Sequence, residues 1–269
     1  LNNAGAIEAG VRADGSTNSA GHLQLDGGSV RNGGQLVSHG SLNTDLQKLD
    51  NADGQIAAAG SATLKAKELD NQKGQVVAQG NLTLDTDTLD NRQGSALAGQ
   101  AMVVNAQAVD NRAGTLAAGG TITAKASNAL NNDGGLVEAG GHLDMQADSL
   151  SNAGGRLRAL GSGGESRFAI GTALNNDGGV LEVASAALTF DTPALSNRGG
   201  VVRHLGSAGL NLDMDLLGQA GGEFITNSAV SLSAEEWVNN SLLQAASITL
   251  DIDRLTPVSY THLTLPTKA

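Results

Sequence analysis

Residues 69–110 read LDNQKGQVVAQGNLTLDTDTLDNRQGSALAGQAMVVNAQAVD, and this stretch contains one short phrase again and again. The phrase is Leu-Asp-Asn with a Gly three residues after the Asn, and it begins at Leu69, at Leu89 and, with Val in place of Leu, at Val109. A fixed spacing of 20 residues without insertions indicates that each repeat is one supersecondary unit stacked on the next.

Copies of the phrase cover most of the chain. Other copies and weaker variants begin at Leu1, Val30, Leu49, Leu130, Leu150, Leu174, Leu195, Leu217 and Val238. The Asn of the phrase moves 101 residues in five steps between Asn51 and Asn152. If each repeat is one turn of a coil, about 12 turns at a strand spacing of about 4.8 Å predict a rod about 58 Å tall.

Apolar residues within a repeat alternate with polar ones. Val76 and Ala78, then Leu82 and Leu84, are separated by single residues, as in strands with one buried face. The pattern breaks at Gly80 and near Gly74, where we expect glycine to supply positive-φ corners. Three short strands and three corners per turn predict a roughly triangular coil. The predicted inward set is Leu49, Ile56, Leu64, Leu69, Val76, Leu82, Leu84, Leu89, Met102, Val104, Val109, Leu116 and Ile122.

The composition supports this architecture and excludes several functions. Aromatic residues are only 2% of the chain while apolar residues are 40%, so the core must be thin and filled by Leu, Val, Ile and Ala. A net charge of −11 argues against a nucleic-acid partner and against a polybasic membrane anchor. Without cysteine there is no disulfide and no thiolate metal site, and no apolar run is long enough for a membrane-spanning helix.

The repeat domain is expected to span residues 1–255. Because Leu1 already stands inside a repeat and no end cap is evident, we expect the domain to be a fragment of a longer shaft. Residues 256–269 lose the repeat and hold the only Tyr, and they resemble translated vector sequence, so we expect a non-native tail.

The Leu-Asp-Asn-x-x-Gly phrase, followed by Val/Ala and Leu-Thr-Leu segments, resembles the filamentous haemagglutinin repeats over roughly residues 1–255. These repeats occur in large exoproteins of two-partner secretion systems in Gram-negative bacteria, both adhesins and contact-dependent growth-inhibition toxins. The resemblance implies a right-handed parallel β-helix, export through an outer-membrane pore protein, and a secreted or cell-surface shaft. It also implies a receptor or glycan on a host or neighbouring cell, and it does not separate an adhesin from a toxin stalk.

Two columns of polar residues follow from the repeat. Asp50, Asp70, Asp90 and Asp110 would be stacked one turn apart, either as Ca²⁺ ligands or, as we favour, as caps that accept a backbone N–H at their own corner. The Asn column comprises Asn51, Asn71, Asn91, Asn111, Asn132, Asn152, Asn176 and Asn197. We expect it to form a buried amide ladder, and the alternative is that Asn only tolerates left-handed corners.

Other residues give weaker signals. The five histidines, which we expect to be exposed on the rim and not to bind metal, are His22, His39, His142, His204 and His262. Two longer turns, with extra residues in Val11–Ala20 and Arg156–Ile170, are either binding loops or, as we favour, tolerated insertions. The register also predicts that Lys65 and Lys67 pair with Asp85 and Asp87, 20 residues on.

Taken as a whole, the pattern predicts a structural and adhesive module and not an enzyme. We assign no catalytic, cofactor-binding or metal-binding residue and expect no cofactor. The alternatives are a carbohydrate-active β-helix enzyme, such as a polysaccharide lyase, and an autotransporter passenger. An enzyme of that kind needs clustered acids in a cleft, and the sequence shows no long loops to build a groove.

Overall fold

The computed structural model describes residues 1–213, 216–217, 221–257 and 263–264. The described chain is all β, without a helix, and its parallel strands stack as a β-solenoid of about 11 turns spaced about 20 residues apart. The predicted fold is therefore confirmed, with about one turn fewer than the repeat count suggested. Nowhere in the described ranges is there a helix long and apolar enough to cross a membrane.

Each turn contributes to two parallel sheets, here called the wide sheet and the narrow sheet. The wide sheet contains Asn2–Asn3, His22–Asn32, Ser41–Asp50, Ala62–Asp70, Leu82–Asp90, Met102–Asp110, Ile122–Asn131, Leu143–Ser151, Glu165–Asn175, Ala187–Asp191, Leu195–Ser196, Gly209–Asp213, Leu216–Leu217, Ala229–Asn239 and Ser247–Pro257. The narrow sheet contains Ala6–Ala9, Gln35–Ser38, Gln55–Ala58, Gln75–Ala78, Ser95–Ala98, Thr115–Ala118, Leu136–Ala139, Arg156–Ala159, Val180–Val183, Val201–His204, Glu223–Thr226, Leu242–Gln244 and Leu263–Thr264.

The register follows the 20-residue phase. Leu64, Leu84 and Val104 are direct partners on successive turns. Lys65 stands opposite Asp85 in the ladder, as predicted.

The ion pairs predicted between Lys65 and Asp85 and between Lys67 and Asp87 are wrong. The ammonium of Lys65 lies 3.2 Å from Asp45 on the preceding turn, and Asp87 instead accepts a hydrogen bond from Gln107 at 3.0 Å. A long side chain on a parallel sheet has neighbours on both sides, so register alone does not choose its partner.

Each regular turn has two strands and not the three we expected. The second and third predicted strands are one continuous strand, such as Leu82–Asp90. Within it Thr86 is buried, Asp87 and Thr88 are both exposed, and Leu89 is buried again. Pairing slips at the same place, for example between Ala126 and Ala129. A bulge of this kind bends the strand and resets which side faces inward without ending the ladder.

The buried side chains are those that the alternation of apolar and polar residues predicted. Every residue of the predicted inward set is buried, with at most 2% of its surface exposed. Alanine fills inward positions in the regular turns, and aromatic residues enter only later, where Phe168 and Phe190 stack with ring centroids 5.2 Å apart.

Glycine supplies the predicted positive-φ corners in the later turns, where Gly134 and Gly154 have φ of 63° and 62°, but it has a different role in the turns before them. The residues with positive φ precede it: Lys73 has φ of 55° and Gln93 has 57°, whereas Gly74 and Gly94 do not have positive φ. A Cβ on Gly74 would lie 2.2 Å from the carbonyl oxygen of Asn51. Glycine is needed because one turn's backbone approaches the next so closely.

The predicted tail, residues 256–269, lies mostly outside the described residues. Within it the structure places residues 256–257 at the end of Ser247–Pro257, and Leu263–Thr264 beside Leu242–Gln244. The assignment of this segment as non-native stays a prediction.

Candidate functional site

The buried polar column of the rod is an asparagine ladder. Each Asn donates its side-chain N–H to the side-chain oxygen of the Asn one turn on, over 2.6–2.7 Å, in nine consecutive bonds from Asn3 to Asn197. The predicted ladder is confirmed, and Asn3 and Asn32 extend it by two rungs. Buried amides are costly unless paired, and here each amide serves as the partner of the next.

Backbone carbonyl oxygens accept the remaining side-chain N–H of the ladder amides. The Nδ2 of Asn91 also donates to the carbonyl of Thr115 at 3.1 Å and approaches that of Gly94 at 3.4 Å. Asn91 is not among the described residues with positive φ, so the alternative explanation by left-handed corners is wrong. The amide is present because it pairs, both between turns and within its corner.

The Asp column caps its corners, as we favoured. A side-chain oxygen of Asp70 accepts the backbone N–H of Gln72 at 2.9 Å, and Asp110 accepts that of Arg112 at 3.2 Å. Asp50 and Asp90 make the same contact. The guanidinium of Arg112 adds three bonds to Asp110, the shortest at 2.6 Å.

Arginines set the electrostatics around Asp110. Burial raises the pKa of Asp110, but hydrogen bonds from Arg112 and the charges of Arg112 and Arg92 outweigh it and hold that pKa below its usual value. No group of three or more His, Asp or Glu side chains in the described ranges could hold a metal ion. The carboxylates thus act as corner caps and as partners of arginine.

Where serine replaces the aspartate, a carboxylate from the preceding turn takes over. Ser151 occupies the position of the aspartate but does not accept the corner N–H itself. Instead Asp133 accepts the N–H of Ala153 at 2.9 Å and also the hydroxyl of Ser151. Asp177 does the same for Arg198 and Ser196.

The histidines do not all lie on the rim. His22 is exposed, while His39 and His142 are half-buried, and His39 contacts Glu8 at 2.6 Å. His204 is fully buried, so the prediction of an exposed rim position is wrong there. It falls on an inward position of the narrow sheet, which alternation could have identified. His262 lies outside the described residues.

The two longer turns form small protrusions. Val11 and Thr17 are joined by an antiparallel bridge, and Asp14 caps the loop by accepting the N–H and hydroxyl of Ser16. The second insertion is short, because Arg156–Ala159 and Glu165–Asn175 are regular strands and only residues 160–164 connect them.

An open depression runs along the outside of the wide sheet, at the bend of its strands. It consists of two neighbouring parts, one lined by residues 45–47, 65–67 and 85–87 and the other by residues 105–106, 125–127, 146–148, 169–171 and 191, and we call the two together the bend trough. Its larger part, from Asn105 to Asp191, encloses about 630 Å³. No groove was predicted, because the sequence has no long loops to build one, whereas the trough arises from stacked bulges.

The lining of the trough is mixed. Small buried side chains such as Ala66, Ala126 and Ala147 form its floor. Its charged groups are Lys65, Lys67, Lys125, Asp45, Asp85, Asp87, Asp148 and Asp191. Lys125 and Lys67 have no carboxylate partner among the described side chains. The surface therefore offers hydrogen-bond donors and acceptors in rows about 4.8 Å apart, which suits an extended polar chain lying along the rod.

One comparison with known proteins gives a result for this chain. A family model described as "Haemagglutinin repeat" matches residues 1–45, 37–106 and 77–180. No curated protein and no solved structure matches. The matched segments together span residues 1–180, the part of the rod with the most regular turns.

Proposed function

This chain belongs to the haemagglutinin repeat family, and we propose that it is a segment of the shaft of a large exoprotein displayed outside a Gram-negative cell. Proteins of this family are generally secreted or surface-exposed and typically structural or adhesive. The proposal is carried by the uninterrupted ladder, because it ties each turn from Asn3 to Asn197 to the next without a gap. A rod of that kind separates what lies at its two ends.

A shaft made of interchangeable turns should tolerate the loss of one whole turn. Deleting residues 71–90 removes one whole repeat and joins Asp70 to Asn91, which restores the phase of the phrase. We expect this variant to melt cooperatively near the parent temperature, as nearest-neighbour stacking requires. The matched control deletes residues 71–80, half a turn, and should unfold. Equal damage by both deletions would contradict the proposal.

Export and assembly form the second part of the proposal. In two-partner secretion, an outer-membrane pore protein carries the chain across, and a chain without cysteine cannot be trapped by disulfides on the way. Reading the complete gene and its neighbours tests this point. An adjacent gene that encodes an outer-membrane pore protein supports two-partner secretion. A barrel domain at the end of the same chain identifies an autotransporter passenger instead.

The bend trough is our candidate for the adhesive surface, with a linear glycan of a host or neighbouring cell as its ligand. Paired rows of amides, carboxylates and ammonium groups can bind hydroxyls, and the half-buried side chains of Ala106 and Ala169 can contact the C–H faces of sugars. The trough also keeps the carbohydrate-active enzyme as a second candidate, since it supplies a groove lined by carboxylates.

Binding and cleavage can be separated in one experiment. The chain is applied to an array of linear glycans, and bound glycans are then incubated with it and analysed for shorter products. Lys125→Ala and Asp148→Ala should reduce binding at least several-fold, while Glu223→Ala, an exposed residue of the narrow sheet, should not. Binding without cleavage supports an adhesive shaft, and release of products supports the enzyme. Unchanged binding in both trough variants would exclude the trough.

A further inference from the structure

One inward column of the narrow sheet changes its chemistry along the rod. The last residue of each narrow strand is an alanine from Ala58 to Ala159, always buried. The next two turns carry Val183 and then His204, which lie directly beside each other, and Thr226 follows. A titratable ring therefore occupies a core position that regular turns give to a methyl group.

Both ring nitrogens of His204 have buried partners. Nε2 lies 3.0 Å from the backbone carbonyl oxygen of Ser185, and Nδ1 lies 3.0 Å from the hydroxyl of Thr226. A carbonyl only accepts, so Nε2 carries the proton and Nδ1 accepts from Thr226. The bonds and the full burial together define a neutral imidazole.

Further polar contacts lie on both sides of the histidine. On one side Ser185 also uses its hydroxyl, which lies 2.8 Å from that of Ser166, and Ser166 accepts the N–H of Leu143 at 3.1 Å. On the other side the Thr226 hydroxyl lies 3.0 Å from that of the half-buried Ser228. These contacts link residues from Leu143 to Ser228 through the two groups of Ser185, so they tie the later turns together.

No described charge faces the ring. The inward neighbours on the flanking narrow strands are Leu181, Val183, Phe224 and Thr226, and those across the core are Leu188, Phe190, Leu210 and Leu212. The charged residues of these elements are outward: Glu182 pairs with Arg203 on the outer face, and Glu223, Asp191 and Asp213 are exposed. A proton on Nδ1 would create a buried cation without a counter-ion, which is strongly unfavourable.

We propose that His204 is an acid-sensitive joint: its protonation loosens the turns between Val183 and Thr226 while the alanine-lined turns before them stay closed. The Thr226 hydroxyl can reverse and accept from Nδ1, but it cannot neutralise the charge. The joint adds a response to acid that goes beyond the shaft function.

The direction of the effect follows from linkage. Burial, the largest influence, lowers the pKa of His204 below its usual 6.5, and hydrogen bonds at the carbonyls of Ser185 and Ala186 offset this only in part. The unfolded turns therefore bind a proton that the folded turns do not. Stability is full above pH 6.5 and falls with pH below it, so the unfolding constant rises by at most about tenfold per pH unit until the folded pKa is reached.

The test uses the full chain and its single tryptophan, Trp237, which is 2% exposed in the turns after His204. Unfolding in denaturant is followed by its fluorescence between pH 8 and 5 for the parent, His204→Gln and His142→Gln. We expect the parent and His142→Gln to lose stability below pH 6.5, and His204→Gln to lose much less. Identical pH profiles for all three proteins would overturn the proposal.

A second measurement does not depend on the variant folding. Amide hydrogen exchange of the parent, corrected for intrinsic rates, is compared at pH 7.5 and 5.5. Protection should fall in peptides covering residues 201–226 and hold in those covering residues 55–98. Unchanged protection in residues 201–226 would overturn the joint even if His204→Gln does not fold.

Discussion

The side-chain nitrogen of Asn91 donates to the side-chain oxygen of Asn111 over 2.6 Å, one turn along the rod, while the oxygen of Asn91 accepts from Asn71 over 2.7 Å. Both contacts are fully inside the protein. This pair shows how the solenoid buries a polar group in every turn: the repeat brings identical amides to one strand spacing, where each satisfies its neighbour.

Breaking one rung should be costly. Asn91→Ala removes the donor to Asn111 and Thr115 and leaves the amide of Asn71 with backbone acceptors only. We expect a loss of about 3 kcal/mol or more in the free energy of unfolding, from about 1–3 kcal/mol for each buried group left unpaired. Asn105→Ala, at an exposed position, is the matched control and should change little. A melt of Asn91→Ala that matches its control would contradict the energetic role of the ladder.

Asn91→Gly tests the same rung less cleanly. Because Asn91 does not have positive φ, glycine gains nothing there and adds a backbone entropy cost of about 0.5–1 kcal/mol. We expect it to be at least as destabilised as Asn91→Ala in a thermal melt. A neutral Asn91→Gly would count against the ladder.

Inward and outward positions on one strand should respond very differently to the same residue. Leu84→Asp buries a carboxylate without a partner and should unfold the surrounding turns, a loss of more than about 4 kcal/mol. Thr83→Asp, one residue earlier and partly exposed, should stay within about 1 kcal/mol of the parent. Circular dichroism melts of the two variants check this, and equal stability would refute the alternation.

Corner substitutions should have opposite effects at adjacent residues. Gly74→Ala places a Cβ 2.2 Å from the carbonyl oxygen of Asn51 and should lower the melting temperature. Lys73→Gly relieves a side chain at φ of 55°, so we expect it to be neutral or stabilising by up to about 1 kcal/mol. If Lys73→Gly proves the more damaging of the two in a thermal melt, close approach is not what selects glycine here.

The Asp column should show a weak acid dependence. Because the pKa of Asp110 is held below its usual 3.8, its contribution is present above that value and is lost as pH falls through the folded pKa. Asp110→Asn keeps an oxygen that can accept the N–H of Arg112, as Asn131 does for Asp133 in the next turn. We therefore expect a slightly lower melting temperature for Asp110→Asn at pH 7 and convergence with the parent as the pH falls below 3.8 through the folded pKa of Asp110.

Calcium provides the control for this column. Adding CaCl₂ or a chelator should leave the melting temperatures of the parent and of Asp110→Asn unchanged, since the carboxylates are already committed to N–H groups and arginines. A rise in melting temperature with CaCl₂ that Asp110→Asn abolishes would instead identify the column as a metal site.

Much of the fold could be predicted because a solenoid converts sequence distance into spatial contact. Once Asn51, Asn71 and Asn91 recur at 20 residues, each must lie one turn from the last, and the amide ladder follows from their chemistry. Alternation of Leu82, Thr83 and Leu84 fixes which side chains are buried, because strands have a period of two. Neither step depends on knowledge of distant parts of the chain.

The repeat, its register and its buried ladder therefore follow from the sequence alone, because all three are local patterns multiplied by stacking. The bend of each turn depends instead on tertiary packing. The bulge after Thr86 merges two predicted strands and creates the trough, and the approach of Asn51 to Gly74 sets the corner. Tertiary packing also encloses His204, because its surroundings come from Ser185 and Thr226 on neighbouring turns, where the repeat has become irregular and no longer predicts what one turn presents to the next.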